Sequence, residues 1–489
     1  MIQRFGACFI LSGTCLIALY FLTNMEVTKR KSFPIFGKHI PSLPAMIQPS
    51  AKNELLKILG VGFGIAVTVG GTIGTGILRK PGPIAAQLGE SWLIMLLWGA
   101  VSLYAFLGTL CTIELGTSVP KAGAWYVYAQ RAFGNYAGFV VGINSWLGTC
   151  SALGFGVYTM SEYLALLIPT LTGYGPYVAA AILLVLTCIH WIGLALASSF
   201  QNVMSVLKGI GLFVFVAVCY IYGDEVTAEQ ARNTTSQIIS TGSWIAPVIF
   251  SLQAIFYTYD GWHTAAYFSE EDKDPSKNLP KSMIGGVLLI IVIYLLCNMA
   301  ILYILPMDEL AQSKLAAADA IRLIFGEGSG KIVTLFLMIS ILGIVNAQLL
   351  FNPRVLYSMS RDGLFLPAGT NVNTGGTPAV AMLITSAVAV FLILIGKEAC
   401  EKLSDIATFF FVLGYTSGFA SLLALRTNEP TLPRPWKVPA YPVLPVVMLL
   451  CSLAFLVGAV VQDLASSQYA LLFLVISYPA FLLVQKVNR

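Results

Sequence analysis

The stretch VGGTIGTGIL, residues 69–78, decides how this chain is read. Four glycines (Gly70, Gly71, Gly74 and Gly76) fall within seven positions of an otherwise apolar run. Each costs about 1 kcal/mol relative to Ala inside a helix, so a continuous helix is expected to break here. The surrounding run, 59–78, is long enough to span a bilayer, which puts the break at mid-membrane. Unpaired backbone is tolerated at that depth only where it lines a cavity or is buried in protein. A half-helix that restarts after such a break turns N–H groups and the positive end of its dipole towards an anion, which makes a carboxylate site without a charged side chain. Close helix packing through small residues is the competing account, strongest at Gly70 with Gly74 four residues on.

Working outward, the whole chain has the composition of a membrane protein. Its 489 residues are 57% hydrophobic and 10% charged, against roughly 45–50% apolar and about 25% charged in soluble domains. This excludes a soluble enzyme. Breaks at Pro, Gly and charge predict twelve spans near 59–78, 88–114, 136–167, 177–195, 203–222, 243–269, 283–305, 332–360, 378–396, 403–425, 441–461 and 468–486. With the first span starting in the cytoplasm, eighteen Lys and Arg fall in inner loops and eight in outer ones. Both ends of the twelve-span body, the C-terminus included, are therefore expected in the cytoplasm. The basic residues form no long basic stretch interleaved with aromatics, so no nucleic-acid partner is expected. The cysteines sit almost entirely in apolar runs, without metal-ligand spacing, and read as small core residues.

Residues 1–57 form an N-terminal extension. The apolar run 5–24 reads as an extra spanning helix, as a signal peptide without an evident cleavage site, or as sequence ahead of a later start at Met25 or Met46. The proline-bearing stretch 30–53 reads as a cytoplasmic tether. Asn233-Thr234-Thr235 is a glycosylation acceptor only in a eukaryotic secretory pathway.

A second break is expected in the sixth span, where Tyr259-Asp260-Gly261-Trp262-His263 places a carboxylate, a glycine and an imidazole at mid-membrane. An ionised group costs at least ~2.5 kcal/mol there and must face protein or water. Two interrupted spans at corresponding places in two halves point to an inverted-repeat transporter with its site at the midplane. Asp260 could contact a substrate ammonium, relay protons or cap the broken half-helix. His263 reads as a hydrogen-bonded interior histidine or a proton carrier, and His190 as structural. Lys208, in the fifth span, needs carbonyl partners unless it snorkels to the membrane edge. Glu114 and Arg361-Asp362 end their spans on the cytoplasmic side and serve as interface anchors or as ion pairs latching an inner gate. SEEDKDPSKNLP, residues 269–280, reads as a solvated charged turn.

Several spaced motifs carry a family likeness: GTIGTGIL in the first span, ELGTSVPKAGAWYVYAQRAFG (114–134), YDGW followed by SEEDKDPSKNLPKSM (269–283), NAQLLFNPRVLYSMSRDGLF (346–365) and RPWKVPAYPVLP (434–445). The chain resembles the amino acid-polyamine-organocation superfamily over roughly residues 55–460, and within it the L-amino-acid-transporter-like permeases. The resemblance implies an all-α integral membrane fold of LeuT type. Its ten-helix core, 58–427, would be a five-plus-five inverted repeat (58–222 and 243–427), followed by two peripheral helices in 428–489. It also implies an α-amino acid held between the two breaks. The carboxylate would meet N–H groups of Gly74, Thr75 and Gly76. The ammonium would meet carbonyls near Thr72 and Ile73 and around Phe256, Tyr257, Thr258, Asp260 and Gly261. Tyr257 matches an aromatic gate. In sodium-coupled relatives of the fold a sodium ion lies between the first, fifth and eighth spans. Lys208 matches that place, bridging carbonyls near Gly70 to a hydroxyl such as Ser340, which implies transport without sodium. Pro353 departs from the family pattern and leaves the course of the eighth span open.

The expected function is sodium-independent secondary transport of an α-amino acid by alternating access, through proton symport or amino-acid exchange, in the plasma (inner) membrane. The expected partners are the substrate, a proton or counter-substrate, and lipid. No cofactor or metal is expected, and no disulfide-linked subunit either, the latter because LIPTLTGYGPY (167–177) lacks the outward cysteine of heteromeric relatives. An amine, polyamine or ethanolamine permease is the alternative, raised by Asp260. A non-transporting membrane sensor is a weaker one, since no added globular domain is evident.

Overall fold

The computed structural model describes residues 54–230, 245–462 and 464–488. The candidate helix 5–24, the stretch 30–53 and Asn233 lie outside them. A backbone without water around it must bond to itself, and apolar runs do so as helices. Among the described residues the regular structure is helical apart from two isolated bridges, Leu59 with Asp272 and Val372 with Pro378. In chain order the helices are α1 (Val61–Thr72), α2 (Gly76–Arg79), α3 (Pro81–Leu88), α4 (Ser91–Ser118), α5 (Trp125–Phe133), α6 (Asn135–Leu167), α7 (Gly175–Ile192), α8 (Leu194–Gln230), α9 (Ile245–Tyr259), α10 (Pro275–Ile304), α11 (Met307–Gln312), α12 (Ala316–Phe325), α13 (Gly330–Arg361), α14 (Ala379–Ile395), α15 (Lys397–Asn428), α16 (Val443–Gln462) and α17 (Leu464–Val487).

Among the described residues, nine segments are long and apolar enough to cross a membrane, with α1 and α2 counted together. Helix α14 and Val443–Gly458 of α16 are shorter apolar helices. The sixth predicted span is represented by α9, which stops at Tyr259 after 15 residues. Helix α1 packs against α8, α10 and α13, α9 packs against α3, α4 and α16, and α6 packs against α13 and α15.

Five local expectations are corrected. The fifth span starts at Leu194 rather than 203. The polar stretch Ser198–Asn202 continues the helix because Gln201 is buried and Ser198 and Ser199 bond back to the Ala195 carbonyl. Beyond the second break the chain forms a turn and the short 3-10 helix Thr264–Phe268, with no second α half-helix. Pro353 is accommodated inside a continuous α13. Finally, α5 is an additional helix in what the sequence presented as a loop. Cys188 and Cys451 are exposed rather than core residues.

Candidate functional site

The break in the first span is where α1 ends and α2 begins, leaving Ile73, Gly74 and Thr75 between them. A helix end frees its last four carbonyls, and here side chains from other helices take up those of Gly70 and Thr72 and the next two, of Ile73 and Gly74. Lys208 of α8 donates to the Gly70 carbonyl at 3.0 Å and to that of Ile73 at 2.6 Å. The Tyr294 hydroxyl of α10 lies 3.1 Å from the Thr72 carbonyl oxygen and 2.9 Å from that of Thr258, so one phenol joins both broken helices. Ser340 of α13 donates to the Gly74 carbonyl at 3.2 Å. On the other side of the gap, the N–H groups of Gly74, Thr75 and Gly76 donate to no backbone acceptor among the described residues.

The two breaks touch. Gly261 has φ +109°, and a Cβ there would lie 2.5 Å from the Gly71 carbonyl oxygen. Only glycine meets both conditions without strain. A Cβ on Gly76 would lie 2.8 Å from the Thr258 hydroxyl. Close packing and an opened backbone, posed as rival accounts of this glycine run, therefore coexist in it.

Around the contact lies a cavity of about 100 Å³, well below the ~300–1,000 Å³ of drug-sized pockets. Thr72, Gly74, Thr75 and Gly76 line it from the first break, and Tyr257, Thr258, Asp260 and Gly261 from the second. Ser145 and Thr149 of α6, Gln348 of α13 and Tyr415 of α15 close it from other helices. The Tyr415 hydroxyl donates to Asp260. Lys80 stands over the Tyr257 ring, 5.6 Å from its centroid.

Three expected members are placed differently. Phe256 turns its ring away, onto Tyr104 and Phe455 with centroids 4.7 and 4.5 Å apart. Ile73 is buried with its carbonyl on Lys208 and is absent from the cavity wall. Ser340 bonds to Gly74 and not to Lys208. Lys208 itself does not snorkel: it is 0% exposed and lies 14 residues into α8, about 21 Å from the helix start. Gly343 makes room for it, since a Cβ there would lie 2.6 Å from the lysine Cε. Neither Gly343 nor Tyr294 carries a sequence signal, being a glycine and a tyrosine in long apolar helices.

The segment expected to be a solvated turn is an ion-pair junction. Glu271 is fully buried and pairs with Arg354, whose Nη2 is 2.6 Å from Oε2. Its neighbour Glu270 pairs with Arg361 at 2.6 Å and accepts the Ala122 N–H at 2.8 Å. Burial raises the Glu270 pKa, but the hydrogen bonds from Arg361 and Ala122 outweigh that effect and hold the group below the usual carboxylate range. The bridge at Leu59 ties the start of α1 to the same segment, with Leu59 N–H on the Glu271 carbonyl at 3.0 Å. Asp362 accepts from Tyr126 at 2.9 Å. Glu114 pairs with Arg426 and Arg434 and accepts the Val438 N–H, anchoring α4 to α15 and the loop before α16.

A crevice walled by two interrupted helices, with opposed backbone dipoles and few charges, suits a small zwitterion. Comparison with known proteins agrees. Residues 64–481 match the family described as amino acid permease. The serine/threonine exchanger SteT of Bacillus subtilis (strain 168) is 26% identical, covering 88% of this chain and 97% of its own. The mouse (Mus musculus) b(0,+)-type amino acid transporter 1 is 28% identical over 86% of each chain. The rabbit (Oryctolagus cuniculus) large neutral amino acids transporter small subunit 2 is 25% identical over 82% of this chain and 76% of its own. The chain belongs to the amino acid permease family, multi-pass membrane proteins with the fold class expected from its motifs, and its function is amino acid transport.

Proposed function

We propose that the chain exchanges small polar α-amino acids across the membrane by alternating access, without sodium. The observation that carries this is the set of three N–H groups, on Gly74, Thr75 and Gly76, that find no backbone acceptor among the described residues and belong to residues lining the cavity between the breaks. A substrate carboxylate docks on them. The ammonium lies against carbonyls of Thr72, Tyr257, Thr258 and Asp260, each of which keeps a lone pair beyond any bond it already accepts. Tyr257 gates the cavity. Lys208 supplies, at the carbonyl end of α1, the positive charge that a coupled cation would otherwise bring.

The small cavity and the side chains of Gln348 and His263 in its wall support a short hydrogen-bonding substrate side chain, and the name of the Bacillus relative supports exchange. The two interrupted helices would begin the two halves of the core, 58–222 and 243–427. The excess of inner basic residues supports a cytoplasmic C-terminus in a plasma (inner) membrane.

Proteoliposomes loaded with unlabelled L-threonine should take up labelled L-serine saturably, equally well when sodium is replaced by choline, and far more slowly when empty. Uptake that disappears without sodium would sink the coupling reading, and equal uptake into empty vesicles would sink exchange. Asp260 in the cavity wall favours an amine substrate as the second reading. An amine that competes where its parent amino acid does not would establish it.

A further inference from the structure

A chain of buried polar side chains runs from α7 through α13 and α8 to α1 and belongs to none of the roles above. His190 of α7 is 2% exposed, and its Nε2 lies 2.8 Å from Asn346 Oδ1 on α13. Asn346 Nδ2 donates to Gln201 Oε1 on α8 at 2.7 Å and reaches the Ala197 carbonyl at 3.4 Å. Gln201 Nε2 donates to Ser205 Oγ at 3.2 Å and reaches the Ala66 carbonyl at 3.4 Å, and Ser205 Oγ donates to Ala66 at 2.6 Å. Asn346 and Gln201 are both 0% exposed.

The direction of every bond is forced. Backbone carbonyls only accept, so Ala197 and Ala66 require the amide nitrogens of Asn346 and Gln201 to face them. Each amide oxygen then faces the previous donor, and His190 must carry its proton on Nε2. A one-way chain of this kind polarises each bond along it. Its end point matters: Ala66 and Gly70 stand one turn apart on one face of α1, and Ile73 follows just past the end of that helix. Gln201, Ser205 and Lys208 stand at i, i+4 and i+7 on α8. The chain therefore grips α1 one turn before the carbonyls that Lys208 holds. Gly70 permits the approach, since a Cβ there would lie 2.5 Å from Ser205 Oγ.

We propose that Asn346 and Gln201 are positioning residues that set where α1 sits against α8 around Ala66, with His190 as the donor that closes the far end of the chain. The proposal rests on the transport reading in one respect, that α1 must shift during the cycle and release this grip.

The test is amide hydrogen exchange of the full chain in nanodiscs, beside uptake of labelled L-serine into proteoliposomes. Asn346→Asp keeps the acceptor towards His190 and loses the donor towards Gln201, and Gln201→Met loses both groups at similar volume. Each should speed exchange in residues 61–70 at least tenfold, leave α6 unchanged, and shift the KM for L-serine at least threefold. His190→Leu should behave alike, while His190→Gln, which keeps a donor, should restore slow exchange. Thr187→Val removes a comparably buried bond, Thr187 to Ser386, and should leave residues 61–70 as in the wild type. Unchanged exchange there in Gln201→Met and His190→Leu would overturn the proposal. So would an equal rise in Thr187→Val or throughout the chain. Should Asn346→Asp fail to fold, the other variants carry the test. A wild-type protein that takes up no L-serine would count against the transport reading alone, since the exchange comparison needs no substrate.

Discussion

Lys208 and Arg354 are both buried cations, held in opposite ways. Lys208 leans on carbonyl dipoles at the end of α1, whereas Arg354 faces a full countercharge on Glu271 and covers the Phe268 ring, its guanidinium 4.5 Å from the centroid. Lys208→Met should lower L-serine uptake at least tenfold. Its effect on thermal stability should be small, because two charge-assisted hydrogen bonds of about 1.5–3 kcal/mol each are lost while the cost of burying a charge disappears. Uptake unchanged in rate and pH dependence would remove the lysine from the mechanism. Arg354→Ala strands Glu271 in the interior and should cost roughly 3–5 kcal/mol, which a thermal melt in detergent would register as a large drop. Glu270, partly exposed, should cost only about 0–1 kcal/mol when replaced by Ala. Its pKa is depressed in the folded protein, so its contribution is complete above the unfolded carboxylate value near 4.3 and is lost as pH falls through the lower folded one. Glu270→Gln should therefore flatten the loss of stability below about pH 4.5, as read by melts at stepped pH.

At the scale of elements, the decisive objects are two helices that stop. Helix α1 ends because its glycines favour no helix and because Tyr294, Lys208 and Ser340 accept the cost of the freed carbonyls. Helix α9 stops at Tyr259, two residues before a glycine with positive φ that lies on the Gly71 carbonyl. Gly261→Ala combines a left-handed backbone with a contact no Cβ can make. It should separate the two breaks and abolish uptake, and a membrane-inserted Gly261→Ala protein with wild-type KM would refute the contact's importance. Gly285, whose Cβ would meet Ile65 side-chain atoms at an ordinary 3.5 Å, should accept Ala with little change in the same assay.

Across the whole molecule, the glycine run, the YDGW break and the apolar spans were legible in the amino-acid order because each is a local property: propensity, hydropathy or charge over a few neighbours. That is enough to determine a helical membrane protein with two interrupted spans and to place Gly74, Thr75, Gly76 and Asp260 at the interruptions. The direction of Phe256, the starting point of the fifth span and the fate of Glu271 were not legible there. Each depends on which face of a helix meets another helix far away in the chain, and a polar residue such as Gln201 looks like a helix end until a carbonyl is found opposite it. The tertiary structure alone decided that Lys208 belongs to α1, that Tyr294 joins both breaks and that SEED is a buried junction, because a buried polar group is explained only by its partner and those partners are more than 30 residues distant.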